Sequence, residues 1–502
     1  MLRSAARLAF INTQKSFKSS NHVRTLASLS PFRQSGVCRN AQPVPFNTWD
    51  NIQPESQFIV TPKNGFLPRE DPLVKLPSEF KELESLLERM PLKLPDGSNG
   101  LLWKGELGQA VTNELPIYNV DHIHDSQLLS ALYRDYTFLA SAYLLEPCDI
   151  NFRTTGEYGL ARDILPKNIA IPLVKVSEKI GAKPFMEYAM SYSLYNYQRI
   201  DKSKPADYPN LNLIRGFAGA RSEHGFILVH VAMVAHSGKI VDAALRTLEA
   251  ARQGDRAEFD SQLGIFRDVF SKINQVMETM WSRSEPADYP HFRTFIMGSK
   301  SQPMFPNGIL YEGVHDKPLH FRGESGANDS MIPLADNLLE LTSNMPTNPL
   351  TEVLRDFRSY RPVNHNRFLS FVDGKAREVG LRKFAEENGN SAAIYLQVMD
   401  QVRDFRHRHW MFTKEYIIKR MKHPVATGGS PIVTWLPNQL GAVLDSLVQT
   451  ASQAILKPEG TSDNQKIIEE IMRKAETERR VLTREVNWLV EERGSKAAEV
   501  GL

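Results

Sequence analysis

The sequence predicts a helical protein, and three stretches carry the prediction. In residues 396–419, Val402, Phe405, His409, Phe412 and Tyr416 fall on one stripe when each position is advanced by about 100°. Residues 226–235 (FILVHVAMVA) are apolar on every side, as in a helix buried in the interior of a sizeable domain. Residues 466–492 are strongly charged, with Ile467, Ile468, Ile471, Val481, Leu482, Val486 and Leu489 on one face, a solvated packing helix.

At 502 residues the chain can bury at least one large core, and 41% hydrophobic with 24% charged residues is the composition of an ordinary folded protein. No run of about 18 apolar residues is seen, so no membrane span is expected. Cys38 and Cys148 fit neither a zinc site nor a covalent haem attachment. The net charge of +3 is unevenly spread: residues 1–44 hold seven basic residues and no acid, so the rest is net negative and a nucleic-acid surface is not expected. That basic, Ser-rich segment with Leu2, Leu8, Phe10 and Ile11 reads either as a mitochondrial transit peptide or as a disordered basic tail.

Taken in order, residues 41–76 are Pro-rich and aperiodic, a linker or arm. Helical spacing begins at 77–90 through Phe80, Leu83, Leu86 and Leu87, and strengthens at 126–144, where Ser126 is the expected N-cap. Asp121, His122, His124 and Asp125 just upstream suggest a metal site, but no third converging ligand follows and a solvated helix entry is expected. Residues 165–201 read as a Pro-bounded extended piece and then a helix over 184–198. Pro205 and Pro209 place a boundary near Asn210, between domains 45–210 and 211–502. Further helices are expected at 250–280, 289–297, 331–342 and around 350–357, with a polar link over 343–348, and His365 is expected at the surface or in a cap.

Two histidines stand on apolar faces. His409 lies on the stripe, whereas His407 is turned roughly 200° away toward charged neighbours. His230 interrupts the all-apolar helix, and an unpaired buried imidazole there costs about 1–3 kcal/mol. Each is by itself a hydrogen-bonded core histidine or a metal ligand; two on two buried helices favour a site between them. Gly323-Glu324-Ser325-Gly326-Ala327-Asn328-Asp329-Ser330 mimics a phosphate loop and a nucleophile elbow but has the residues of neither, and offers a small-residue backbone that a flat ligand can approach. Residues 426–430 (ATGGS), in a Pro-flanked loop spanning about 423–434, read as a mobile lid or a plain connector.

Several blocks, in order, resemble the indoleamine 2,3-dioxygenase family, in its fungal type: LPKNIAIP at 165–172, Gly225-Phe226 with His230, Leu310-Tyr311-Glu312-Gly313, GESGANDS, and Arg406-His407-Arg408-His409-Trp410 followed by Tyr416-Ile417. The resemblance runs from about Leu115 to Leu447. It implies an all-α fold, a small N-terminal helical domain on a larger haem-binding one. It implies ferrous haem b on His409, with Arg406 reaching a propionate, Asp336 its partner, and Ser325 and Gly326 beside the cofactor. Tyr188, Phe226, Tyr289, Arg293 and Ser325 correspond to the substrate pocket, with Arg293 on the amino-acid carboxylate, and Thr427, Gly428 and Gly429 to the lid. His230 replaces a serine of the mammalian enzymes, which makes the distal side resemble tryptophan 2,3-dioxygenase, and Asp288-Tyr289-Pro290-His291 replaces paired phenylalanines. The implied reaction joins dioxygen to L-tryptophan or a related indoleamine, giving N-formylkynurenine at the head of the kynurenine pathway; the alternative is a myoglobin-like dioxygen carrier of the same fold. A monomer is implied, and the family's usual address, the cytoplasm, competes with the mitochondrial reading of the N-terminus.

Overall fold

The computed structural model describes residues 49–341, 356–423, 425–455 and 461–493, all within one compact unit, Pro45–Leu502. The N-terminal basic segment, the 343–348 link and most of the helix expected around 350–357 lie outside the described residues. Helix dominates the rest. Apart from isolated bridges, the β-structure among the described residues is two strand pairs, Ile164–Leu165 parallel to Leu310–Tyr311 and Tyr197–Arg199 antiparallel to Leu211–Leu213.

The helix expected at 126–144 runs over Ser126–Thr155 and is buried along most of its length. Its cap is Asp125 rather than Ser126, because the Asp125 carboxylate accepts the Leu128 N–H at 2.7 Å. His122 and His124 are exposed and Asp121 pairs with Lys175, as expected of a solvated entry. Mid-helix, Arg134 and Asp135 are fully buried and join Arg215 and Glu84 in one ion network. Burial alone would raise the Asp135 carboxyl, but Arg134 and Arg215 outweigh it and hold it below its ordinary value. The network ties the Lys81–Arg89 helix and the segment that follows the Leu211–Leu213 strand, at Arg215, to this central helix.

Two expectations are corrected. The helix of the 165–201 region is Lys167–Ile180, upstream of the stretch expected. Pro166 takes its N-cap at φ −68°, where no N–H is required, so the proline starts the helix instead of excluding it. Residues 184–198 hold only one π-turn, Tyr188–Tyr192, before the strand. Asn196 competes for the backbone there, donating to the Tyr192 and Arg215 carbonyls and accepting the Arg215 N–H. His365 is buried, not at the surface: its Nδ1 lies 3.1 Å from Ser330 Oγ and its ring packs edge-on to Phe58 and Phe66.

The elements that build the cavity lie further along the chain. The helix Arg221–Val234 is buried on nearly all sides, as its composition demands. With Ser237–Gln253 it forms a run long and apolar enough, by length and composition, to cross a membrane; two thirds of that window is buried inside the protein, as in a core helix. Its start is set by Glu223, whose buried carboxylate accepts the N–H groups of Phe217 and Ala218. The expected 250–280 helix is broken by Gly254 at φ +73° and resumes as Arg256–Glu278. Against it pack both Arg221–Val234 and Gly389–Phe412, the latter also held by Ile432–Ile455 and Ser462–Arg493.

Candidate active site

The helix Gly389–Phe412 begins at Asn388, whose side chain accepts the N–H groups of Asn390 and Ser391. Three helical turns further on, Val402, Phe405, Phe412 and Tyr416 are buried on one face, and His409 opens from that face into an internal cavity. His407 points the other way, 39% exposed with Nδ1 3.5 Å from Glu478. After Phe412 the backbone widens into a π-turn, Thr413–Ile418, which keeps Thr413, Tyr416 and Ile417 in the cavity wall; such turns are frequent at functional sites.

Across the cavity stands His230, on Arg221–Val234. Its ring lies 5.4 Å from Phe226 and 5.7 Å from Tyr188, centroid to centroid, and Phe226 lies 5.3 Å from Tyr289. Burial lowers the His230 imidazole to about 4, with His409 adding to the effect; burial and then Arg406 lower His409 to about 4. Both are neutral at physiological pH, the state in which a ring nitrogen can ligate or accept a hydrogen bond. Neither ring is hydrogen-bonded among the described residues, and the surface each exposes belongs to the cavity wall. The main compartment measures about 140 Å³, close to the ~150 Å³ that admits a benzene ring. Met233, Met277 and Met280 give it an adaptable apolar side.

A second compartment of about 70 Å³ shares His409, Gly326, Asp329, Phe405, Trp435 and Leu436 with the first. Its wall is cationic: Arg358, Arg361 and Arg406 face it, with Asp336 2.7 Å from Arg406 Nη2. Burial, and Arg358 close by, lower the Arg361 guanidinium to about 10. Three buried donors of this wall, Arg406 Nη1, Trp435 Nε1 and Gln439 Nε2, have no acceptor among the described residues.

The loop over the main compartment is tied down on its outer side. Thr427 donates to the Glu324 carbonyl at 2.7 Å, Gln302 to Ala426 O at 2.6 Å, and Arg322 to Gly428 O at 2.9 Å. At Gly323 a Cβ would sit 2.5 Å from the Thr427 carbonyl, so only glycine permits this contact. Arg293 is fully buried, and its Nη2 donates to Val425 O at 2.8 Å, close behind Tyr289.

Of the residues singled out in the sequence, His230, His409, Tyr188, Phe226, Tyr289, Ser325, Gly326 and Thr427 converge on the main compartment, and Arg406 and Asp336 on the second. Three do not reach the wall. Arg293 lies behind the wall, donating from Nη2 to the Val425 carbonyl and from Nη1 to Tyr158 Oη at 3.4 Å, while its buried Nε has no acceptor among the described residues. Gly428 and Gly429 sit on the outer side of the loop, against Phe357 and the Lys300 carbonyl. Sequence reasoning missed Glu324, Arg358, Arg361 and Gln439. The i, i+3 spacing of the two arginines and the i, i+4 spacing of Trp435 and Gln439 were the available signals.

Fold and site together define a class: an all-helical protein with an internal ligand cavity bracketed by two neutral histidines. The chain belongs to the indoleamine 2,3-dioxygenase family, whose model matches residues 54–464. It is 25% identical to indoleamine 2,3-dioxygenase 1 of Mus musculus, over 71% of this chain and 83% of the relative. Indoleamine 2,3-dioxygenase of Saccharomyces cerevisiae is 25% identical over 72% and 80%, and a 6-hydroxytryptophan 2,3-dioxygenase of Fusarium equiseti is 24% identical over 72% and 84%. The protein is an oxidoreductase of the dioxygenase type.

Proposed function

We propose that the protein is a haem-dependent dioxygenase that adds both atoms of dioxygen across the indole C2–C3 bond of L-tryptophan, giving N-formylkynurenine. One observation supports this above the others: a neutral histidine stands where an apolar, ring-sized compartment meets a cationic one.

The residues present fit haem. Among the described residues no group of three or more His, Cys, Asp or Glu side chains is placed to hold a bare metal ion. A single histidine suits an iron that would arrive already held in a prosthetic group. His409 would hold the iron, and the unpartnered donors of Arg406, Trp435 and Gln439 would take the propionate carboxylates. At Gly326, which lines both compartments, a Cβ would meet open space, room in which a flat macrocycle can approach the backbone. When bound, haem supplies the activation of dioxygen.

The rest is the work of the chain. Phe226, Tyr188 and Tyr289 form the aromatic wall against which an indole ring is oriented. His230, neutral, carries one N–H and one free ring nitrogen, so it can accept the indole N–H and hold the ring edge toward the centre of the cavity. The loop tied by Gln302, Arg322 and Thr427 excludes water. Both oxygen atoms leave in the product, so no reductant is consumed per turnover. The test is reduced, haem-loaded protein mixed with L-tryptophan and dioxygen. Growth of N-formylkynurenine absorbance is expected, whereas a stable dioxygen-bound spectrum without product overturns the reading in favour of a carrier.

A further inference from the structure

We infer that Glu485, on the C-terminal helix, is a positioning residue for His409 and acts through Trp410 and Lys414. The inference rests on the reading of His409 as the haem ligand and assigns a support to it.

The helix Ser462–Arg493 runs well past residue 464, where the family match ends. Its buried residues Ile468, Ile471, Ala475, Leu482 and Leu489 follow alternating spacings of three and four, the seam of a helix packed lengthwise on another. The same alternation puts Glu478 and Glu485 in the two remaining places of that seam. A carboxylate on a seam is costly unless it is paired, and both are paired with Gly389–Phe412 or the turn that follows it. Glu478 Oε1 lies 2.9 Å from Arg403 Nη1 and 3.5 Å from His407 Nδ1. Glu485 Oε2 accepts the Trp410 indole N–H at 3.0 Å, and its Oε1 accepts Lys414 Nζ at 2.8 Å.

At about 100° per residue, Arg403, His407 and Trp410 lie roughly 150° round the helix from Val402, Phe405, His409 and Phe412. The two carboxylates thus grip the helix from behind while His409 faces the cavity. Glu485 grips it beside the ligand. Trp410 follows His409 directly and is 1% exposed, and Lys414 lies inside the π-turn Thr413–Ile418, whose Thr413 hydroxyl donates to the His409 carbonyl at 3.0 Å. One carboxylate therefore spans the junction at which the helix widens, with a partner on each side of it. Burial alone would raise the Glu485 carboxyl, but Lys414 and Trp410 outweigh it and hold it below its ordinary value, so both bonds are made to a carboxylate. A return of the π-turn to α-helical register would rotate the residues after it by about 100°. The two ties hold the backbone on either side of that junction, and with it the direction in which the His409 imidazole leaves the helix.

The test is haem titration of apo-protein followed by Soret absorbance, with resonance Raman of the ferrous, haem-loaded protein, in which the iron–histidine stretch reports the setting of His409. Glu485→Ala is expected to weaken haem binding about tenfold, as when an outer partner of a metal ligand is removed, and to shift or broaden that stretch. Trp410→Phe, which keeps a ring and removes the donor, should move the stretch in the same way. Glu485→Gln, whose amide oxygen can still accept the Trp410 N–H, should recover part of the affinity. Amide hydrogen exchange of the apo-protein across residues 409–418 should be faster in Glu485→Ala and reads the same effect without haem. Leu482→Ala loosens the seam without touching either bond of Glu485. It should lower the thermal midpoint of the apo-protein, yet leave the haem Kd within about twofold of wild type and the stretch unmoved. A haem Kd within about twofold of wild type and an unmoved stretch in Glu485→Ala overturn the inference. Equal weakening of haem by Leu482→Ala also overturns it, since the helix would then be a general support. If wild type binds haem and forms product while Glu485→Ala matches it, only the role of Glu485 falls; if wild type binds no haem, the reading of the cavity falls with it.

Discussion

His409→Ala and His407→Ala, two residues apart on one helix, separate function from stability. His407 is 39% exposed and faces Glu478 at 3.5 Å, and an exposed pair of this kind contributes about 0–1 kcal/mol. Its removal should leave the thermal midpoint and haem content near wild type. His409 makes no hydrogen bond with its ring among the described residues, and one side of it faces empty space. Truncating it therefore forfeits only part of the 2–5 kcal/mol typical of a filled core position, on the order of 1–2 kcal/mol, and alanine returns some of that as a better helix former. The apo variant should be folded. Haem affinity is a different matter, because losing even an outer partner of a metal ligand typically costs 10–100-fold, and losing the ligand should cost more than about 100-fold. The assay is haem titration of apo-protein followed by Soret absorbance, with urea unfolding of the same samples. Retention of haem by His409→Ala and its loss from His407→Ala would refute the helix-face argument. An unfolded His409→Ala apo-protein would refute the claim that this histidine is kept for binding rather than for packing.

Three further outcomes follow from the geometry. Asp336→Ala strands Arg406 as a buried charge beside Arg361, and breaking such a pair costs about 3–5 kcal/mol; urea unfolding of the apo-protein should show it, and a loss under about 1 kcal/mol would count against the pairing. Gly429→Ala forces a Cβ to within 2.3 Å of the Lys300 carbonyl at φ +82°, so the loop should loosen: KM for tryptophan rises several-fold while haem content holds, and an unchanged KM would show that this loop does not seal the cavity. His365 is held down to about 3 by burial, with Arg361 adding to it, against 6.5 unfolded. Because the folded value is depressed, this group's contribution is fully present above pH 6.5 and is lost as pH falls from 6.5 toward 3. At pH 5 the loss is about 2 kcal/mol, so His365→Gln should lose about that much less than wild type between pH 7.5 and 5 in urea unfolding; equal acid sensitivity would contradict it.

How much of this was legible depended on whether the information was local. The stripe through His409 could be read because helical periodicity needs only neighbouring residues, and it separated His409 from His407 without any tertiary knowledge. His230 was visible as the polar interruption of an apolar helix. The cationic compartment was not, because Arg358, Arg361, Arg406 and Gln439 come from three separate stretches and meet only once the chain is packed. Arg293 was singled out by similarity alone, and its Val425 contact was not legible because it depends on how the loop folds back 132 residues later. The Lys167–Ile180 helix is hidden from local pattern because Pro166 and Pro172 have the character of breakers, whereas Pro166 occupies the cap, where a proline is tolerated.

Arg406 shows why the two compartments are best understood together. It precedes His409 by three residues, one helical turn, so its charge reaches the imidazole while its guanidinium faces the second compartment. The same positive charge that would bind a carboxylate also helps keep His409 unprotonated, so affinity for the anionic edge of a planar group and readiness of the ligand nitrogen arise from one side chain. Asp336 limits this effect by holding one edge of the guanidinium, and Nη1 has no partner among the described residues. The main compartment, by contrast, has no arginine in its wall among the described residues. On the proposed haem reading, the acids of a planar group would be held toward Arg406 and Arg361. A cationic wall and an apolar, aromatic one thus meet at one neutral histidine, and Arg406 acts on both sides of that boundary.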